Sequence, residues 1–82
     1  MSESEFEAIL AQFWTTHDSI DWGIETTIQR VPGASVLMAR AVITLKGQAR
    51  VTAYSDPEQG LATERIEQEA IKRAIKRIMP GG

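Results

Sequence analysis

Arg40 and Arg50 alternate with Thr44, Thr52 and Tyr54 in the middle of the chain, Lys46 lies between them, and Lys72, Arg73, Lys76 and Arg77 crowd its end. Cations beside an aromatic ring can neutralise phosphates while a base stacks on the ring, and those two contacts hold single-stranded nucleic acid. The same residues also meet plainer demands: a solvated sheet face with one half-exposed tyrosine, and a helix C-terminus whose cations complement the macrodipole. Catalysis finds less support. The one histidine, His17, stands beside Asp18. A triad needs a nucleophile, a base and an orienting group converging in a pocket, and no serine sits in an elbow context. A histidine at a helix end reads as a surface or dipole-compensating residue. Glu3, Glu7, Glu64 and Glu67 read as solvated helix carboxylates. The sequence lacks metal-ligand spacing and a glycine-rich phosphate loop. The expectation is a chain that is not an enzyme, with no catalytic residue, metal or cofactor.

Eighty-two residues make one domain, 1–82. A chain this short buries only about 60–65% of its unfolded surface, so subunit contacts are a plausible support. Cysteine is absent, so no disulfide or thiolate cage holds the fold. No apolar run approaches the ~20 residues of a membrane span. The acidic start, Met1-Ser-Glu-Ser-Glu-Phe6, does not read as a signal peptide, and a cytoplasmic protein is expected. The net charge of −2 hides a division. Residues 1–25 carry Glu3, Glu5, Glu7, Asp18, Asp21 and Glu25 with no Lys or Arg, and all 9 basic residues follow. Windows 26–55 (Arg30, Arg40, Lys46, Arg50) and 70–82 are basic throughout. Such segregation builds a local positive surface on an acidic protein, or lets the acidic helix of one subunit meet a basic face of another.

The elements that must position these residues follow from periodicity. Ser4-Glu-Phe-Glu7 reads as a capping box. Phe6, Ile9, Leu10, Phe13 and Trp14 then form one helical stripe, ended by Thr15-Thr-His-Asp-Ser19. From Trp22 the period is two, with Trp22, Ile24, Thr26 and Ile28 on one face. Val31-Pro-Gly-Ala-Ser35 is a turn. In the second strand Leu37, Ala39, Ala41, Ile43 and Leu45 point inward, and Met38, Arg40, Val42, Thr44 and Lys46 outward. Lys46-Gly47 is a tight hairpin. The third strand is expected to place Ala49, Val51 and Ala53 inside and Gln48, Arg50, Thr52 and Tyr54 outside. Asp56-Pro57-Glu58 carries a helix-start signature, with Gly60 leaving open whether the helix begins there or after it. The final helix buries Ala62, Ile66, Ala70, Ile71, Ala74, Ile75 and Ile78, and offers the pairs Glu69–Arg73 and Glu69–Lys72. Pro80-Gly81-Gly82 stops it. A Gly-Gly end also occurs in ubiquitin-like and sulfur-carrier proteins, but there it follows a strand; here a helix stop or chain boundary is the reading. The expected fold is α+β, in the order α-β-β-β-α: a three-stranded antiparallel meander with both helices packed on one face.

The stretch from Trp22 onward resembles the core of the single-strand-annealing recombination mediators, ring-forming proteins that pair complementary DNA strands. The matching residues are Trp22, Ala39-Arg-Ala-Val-Ile-Thr-Leu-Lys-Gly47, Ala53-Tyr-Ser-Asp56 and Glu69-Ala-Ile-Lys-Arg-Ala-Ile-Lys76. The resemblance implies that Lys72, Arg73 and Lys76 face a DNA groove and that Arg40 and Arg50 stand for the basic residues of the family's hairpin. The α-β-β-β-α order is also similar to the double-stranded-RNA-binding domain. That family reads phosphates with lysines at the start of its last helix, where this chain has the acidic Thr63-Glu-Arg-Ile-Glu-Gln-Glu69.

The functional expectation is therefore a homo-oligomer that binds, and by resemblance anneals, single-stranded nucleic acid through Arg40, Lys46, Arg50, Tyr54, Lys72, Arg73, Lys76 and Arg77, which would share one continuous cationic surface. The alternatives are an assembly module without nucleic-acid binding, to which Met38 and Val42 on the outward face point, and a double-stranded-RNA-binding domain.

Overall fold

The elements are α1 (Glu3–Thr16), β1 (Trp22–Arg30), β2 (Val36–Leu45), β3 (Gln48–Tyr54), the two-residue β4 (Glu58–Gln59) and α2 (Thr63–Ile78). The computed structural model describes residues 3–33, 35–59 and 63–79. The α+β order read from the sequence is the order observed. β1, β2 and β3 form an antiparallel meander, and β4 pairs with β2 beyond the end of β3. Gly60, Ala62 and Pro80-Gly81-Gly82 lie outside the described residues, as does the side chain of Ser4. Glu3 already belongs to α1, so Ser4 sits inside the helix rather than capping it.

Two turns set the meander. Gly33, after Pro32, takes φ 76°, and the Val31 N–H donates to the Val36 carbonyl at 3.1 Å across that turn. At the second turn both central residues are left-handed, Lys46 at φ 52° and Gly47 at φ 80°. That pairing matches the twist of a two-residue hairpin. One expectation for β3 fails here. Ile43 faces Val51, but Thr44 faces Ala49, so Arg50 is an extra residue at a bulge. The inserted residue reverses the alternation beyond it. Ala49, expected inside, joins Thr44 and is exposed, while Gln48 sits opposite Leu45 and is exposed as expected.

The core lies between the sheet and α2. Ala39, Ala41 and Ile43 of β2 and Ala53 of β3 are buried with Ile66, Ala70, Ala74 and Ile75 of α2. Alanines on both surfaces let the helix lie close to the strands. Phe13 brings α1 into the same core, supported by Ile9 and Leu10. Of the two helix starts left open by the sequence, the one at Asp56-Pro57-Glu58 does not form, and Glu58 and Gln59 make a short strand instead. The Ser55 N–H donates to the Ala39 carbonyl, and Ser55 Oγ accepts the Ala39 N–H, both at 2.9 Å. Those bonds hold the chain beside β2 past Tyr54, so Glu58 and Gln59 pair with Leu37 and Val36, and α2 starts after Gly60.

Candidate nucleic-acid interface

The sheet has one face under the helices and one open face. The open face carries Glu25, Thr27 and Gln29 of β1, Met38, Arg40, Val42 and Thr44 of β2, and Thr52 and Tyr54 of β3. The register sets these in rows: Thr27, Arg40 and Tyr54 in one, Glu25, Val42 and Thr52 in the next. Arg40 is the middle of its row. Its Nε is buried and finds no acceptor among the described residues. Tyr54 beside it is 44% exposed.

The cations of α2 lie on the other layer and reach the sheet at its β3 edge. The Arg73 guanidinium donates to the Tyr54 carbonyl at 2.9 Å and to both oxygens of Asp56, at 3.3 and 3.0 Å. It also pairs with Glu69 at 2.6 Å, the i,i+4 partner expected from the sequence. Arg77 donates to the Thr52 carbonyl at 2.7 Å. An edge strand exposes backbone groups that need partners, and these two arginines supply them. The hydrogen bond and charge of Arg73 hold the Asp56 carboxyl below its ordinary pKa, and Asp56 in turn raises that of Arg73.

Lys72 turns the other way. It does not take Glu69, as the helical spacing allowed, but meets Glu5 of α1 at 2.7 Å. The hydrogen bond and charge of Lys72 lower the Glu5 pKa. Beside this pair, Arg65, Gln68, Glu69, Lys72, Arg73 and Lys76 line a groove of about 370 Å³ along α2.

The structure thus divides the expected surface. Arg40 and Tyr54 occupy the open sheet face, Lys72 and Lys76 the α2 groove, and Lys46 the hairpin turn. β3 is the line between them: Tyr54, Thr52 and the bulged Arg50 belong to it, and Arg73 and Arg77 are bonded to its backbone. The cations also differ in commitment. Among the described residues Arg40, Lys46 and Arg50 have no carboxylate partner, Lys76 makes no ion pair although its charge helps lower the Glu5 pKa, Arg77 has only a carbonyl, and Arg73 is engaged on several sides. Sequence reasoning missed Arg65 in the groove, the Asp56 anchor and the Glu5–Lys72 link. Arg65 was within reach, since it falls three and seven residues before Gln68 and Lys72 on one helical face.

His17 takes no part in this surface and is not the plain surface residue expected. Its ring stacks on Phe13 at 4.4 Å and meets Trp22 edge-on at 4.4 Å, and Nδ1 lies 3.1 Å from the Phe13 carbonyl. It is a packing residue that locks the end of α1 to the start of β1. Among the described residues no group of three or more His, Cys, Asp or Glu side chains could hold a metal ion. No described helix is long and apolar enough to cross a membrane. Comparison with protein-family models, curated proteins and solved structures finds no match.

Proposed function

We propose that this chain binds single-stranded nucleic acid along β3 and the adjoining turns of α2. The observation that carries the reading is the bonding of Arg73 and Arg77 to the Tyr54 and Thr52 carbonyls, because it ties the cationic end of α2 to the strand that presents Tyr54 and Arg50. Phosphates would be met by Arg40, Lys46, Arg50 and Lys76, which are uncommitted, and by the outer donors of Arg77. Tyr54 is the stacking platform. Arg73 acts differently: its carboxylate and carbonyl partners make it a positioning residue that fixes α2 against β3. Strand annealing by a homo-oligomer is the activity that the resemblance to recombination mediators adds to this reading.

The test is fluorescence anisotropy with a labelled single-stranded oligonucleotide at low and moderate salt. Binding should weaken steeply with salt, and Arg50→Ala and Lys76→Ala should each lower the salt slope by roughly 0.7. Both side chains are exposed and make no ion pair among the described residues, so the fold should survive their loss. No binding at low salt would end the proposal. A second reading, a protein-interaction module on the open sheet face, draws on Met38 and Val42, half-buried apolar residues that no described element covers. It predicts no oligonucleotide binding at any ionic strength, with association governed by protein concentration alone.

A further inference from the structure

The two edges of the sheet are treated differently. The β3 edge carries a bulge at Arg50, and Arg77 and Arg73 occupy its Thr52 and Tyr54 carbonyls. These are devices by which proteins prevent an edge from recruiting another strand. β1, the opposite edge, has none of them. It runs nine residues from Trp22 to Arg30, in unbroken register with β2 and without proline or lysine. Ile24, Thr26, Thr27 and Ile28 are all residues of high strand propensity.

Its hydrogen-bonding pattern shows which groups point outward. Val31 donates to Val36, its register partner, so odd-numbered residues of β1 are the ones bonded to β2. In an antiparallel ladder the residues between them direct N–H and C=O to the other side. These are Trp22, Ile24, Thr26, Ile28 and Arg30. The Trp22 N–H is taken by the Asp18 carbonyl at 2.9 Å. From Ile24 to Arg30 the outward groups have no hydrogen-bond partner among the described residues.

We propose that the β1 edge pairs with β1 of a second copy, antiparallel about a two-fold axis through Thr26, to give one continuous sheet whose central path, β3-β2-β1 of each copy, is six strands wide. The register is selected by β1 itself. Centred on Thr26, it sets Ile24 opposite Ile28 of the second copy and Trp22 opposite Arg30, an apolar pair and a cation over an indole. A two-residue shift one way centres on Glu25 and sets that carboxylate against itself. A shift the other way sets Ile24 opposite Arg30 and Trp22 opposite Pro32, which has no N–H to give. One-residue shifts would turn the core face of one copy outward. Arg30 is exposed and has no carboxylate partner within its own chain among the described residues, so it is available for this contact. The inference does not depend on nucleic-acid binding, since the residues it uses lie on the far edge from β3.

The experiment reads hydrogen exchange and mass together. At concentrations where light scattering gives twice the chain mass, the amides of Ile24, Thr26 and Ile28 should exchange slowly. On dilution to the monomer they should exchange fast, while those of Glu25, Thr27 and Gln29 stay slow. Thr26→Pro removes an outward N–H without touching the β2 ladder and should leave a folded monomer. Thr26→Val, which also loses the Thr26–Glu67 hydrogen bond but keeps the N–H, should remain dimeric. A wild-type chain that stays monomeric at millimolar concentration overturns the proposal. So does a dimer whose Ile24, Thr26 and Ile28 amides remain fast, and that second result needs no variant.

Discussion

If the chain binds nucleic acid as proposed, Glu5 would compete with it for Lys72, and removing the Glu5 charge should tighten binding. The pair stands at 2.7 Å at the side of the α2 groove, so Lys72 is a groove cation bonded to the opening helix. A phosphate arriving at Lys72 must displace that carboxylate. Glu5→Gln keeps the length of the side chain and an oxygen acceptor for the lysine Nζ while removing the charge. One further phosphate contact on a single strand steepens the salt slope by about 0.7. Relative to 1 M salt, that slope amounts to about an eightfold gain at ~50 mM and about threefold at ~200 mM. Glu5, the residue changed, is the exposed member of the pair, so the fold should be little affected. Anisotropy titrations at the two salts, beside a thermal melt, measure both quantities. Glu64→Gln is the control: it removes the same charge from an exposed position outside the groove, and should change affinity less than about twofold because salt screens distant charges. If Glu5→Gln leaves affinity unchanged at ~50 mM, or tightens it no more than the control does, Lys72 is not a phosphate contact and the groove contributes to the proposed site through Lys76 without it.

Phe13→Ala should cost about 3–5 kcal/mol, a large part of the roughly 4–12 kcal/mol available to a chain of this size. Phe13 is fully buried and touches the rings of Trp14, His17 and Trp22, so a urea titration followed by tryptophan fluorescence reports the loss directly. Ser55→Ala should cost about 1–3 kcal/mol by leaving the buried Ala39 N–H without an acceptor, measured the same way. Gly47→Ala should cost about 1–2 kcal/mol, because φ 80° is left-handed, with a lowered melting temperature as the reading. Asp56 and Glu5 both have folded pKa values below the ordinary carboxylate range. Their contribution is therefore complete at neutral pH and lost as pH falls through the depressed values. Denaturation midpoints should drop below about pH 4, and Asp56→Asn should flatten part of that drop.

Local pattern was enough for the elements and insufficient where distant segments meet. The strict alternation of Leu37 to Leu45 and the stripe from Ile66 to Ile78 specify β2 and α2 because every neighbour votes for the same period. Lys46-Gly47 could be read as a tight hairpin because few backbones tolerate two left-handed residues. The bulge could not. Gln48 to Tyr54 alternates as cleanly as any strand, and only its pairing with β2 reveals Arg50 as extra. Asp56-Pro57 misled because a proline after a capping residue opens helices and also interrupts edge strands; Ser55, bonded to Ala39 sixteen residues earlier, decides between them. In the candidate site the i,i+4 partner of Arg73 was legible on α2. Its Asp56 and Tyr54 partners, and Glu5 against Lys72, depend on how α2 docks, which no spacing within one segment encodes.

The two proposals together fix where nucleic acid can lie on a dimer. Joining the sheets through β1 places the two β3 edges at opposite flanks of six strands. At about 4.8 Å per strand interval they are roughly 24 Å apart. The two-fold makes their rows of cations run in opposite directions. A short oligonucleotide can occupy one flank only, whereas a longer one can fold back and reach both, so its second contact becomes intramolecular. Affinity should therefore rise with oligonucleotide length in two stages for the wild-type chain. In Thr26→Pro the second stage should vanish while the first persists. If the first stage is lost as well, strand addition at β1 shapes the β3 surface itself and the two edges are not independent. If both stages persist in a chain shown to be monomeric, the second contact lies within one subunit, and the open face around Arg40 and Tyr54 is the place to find it.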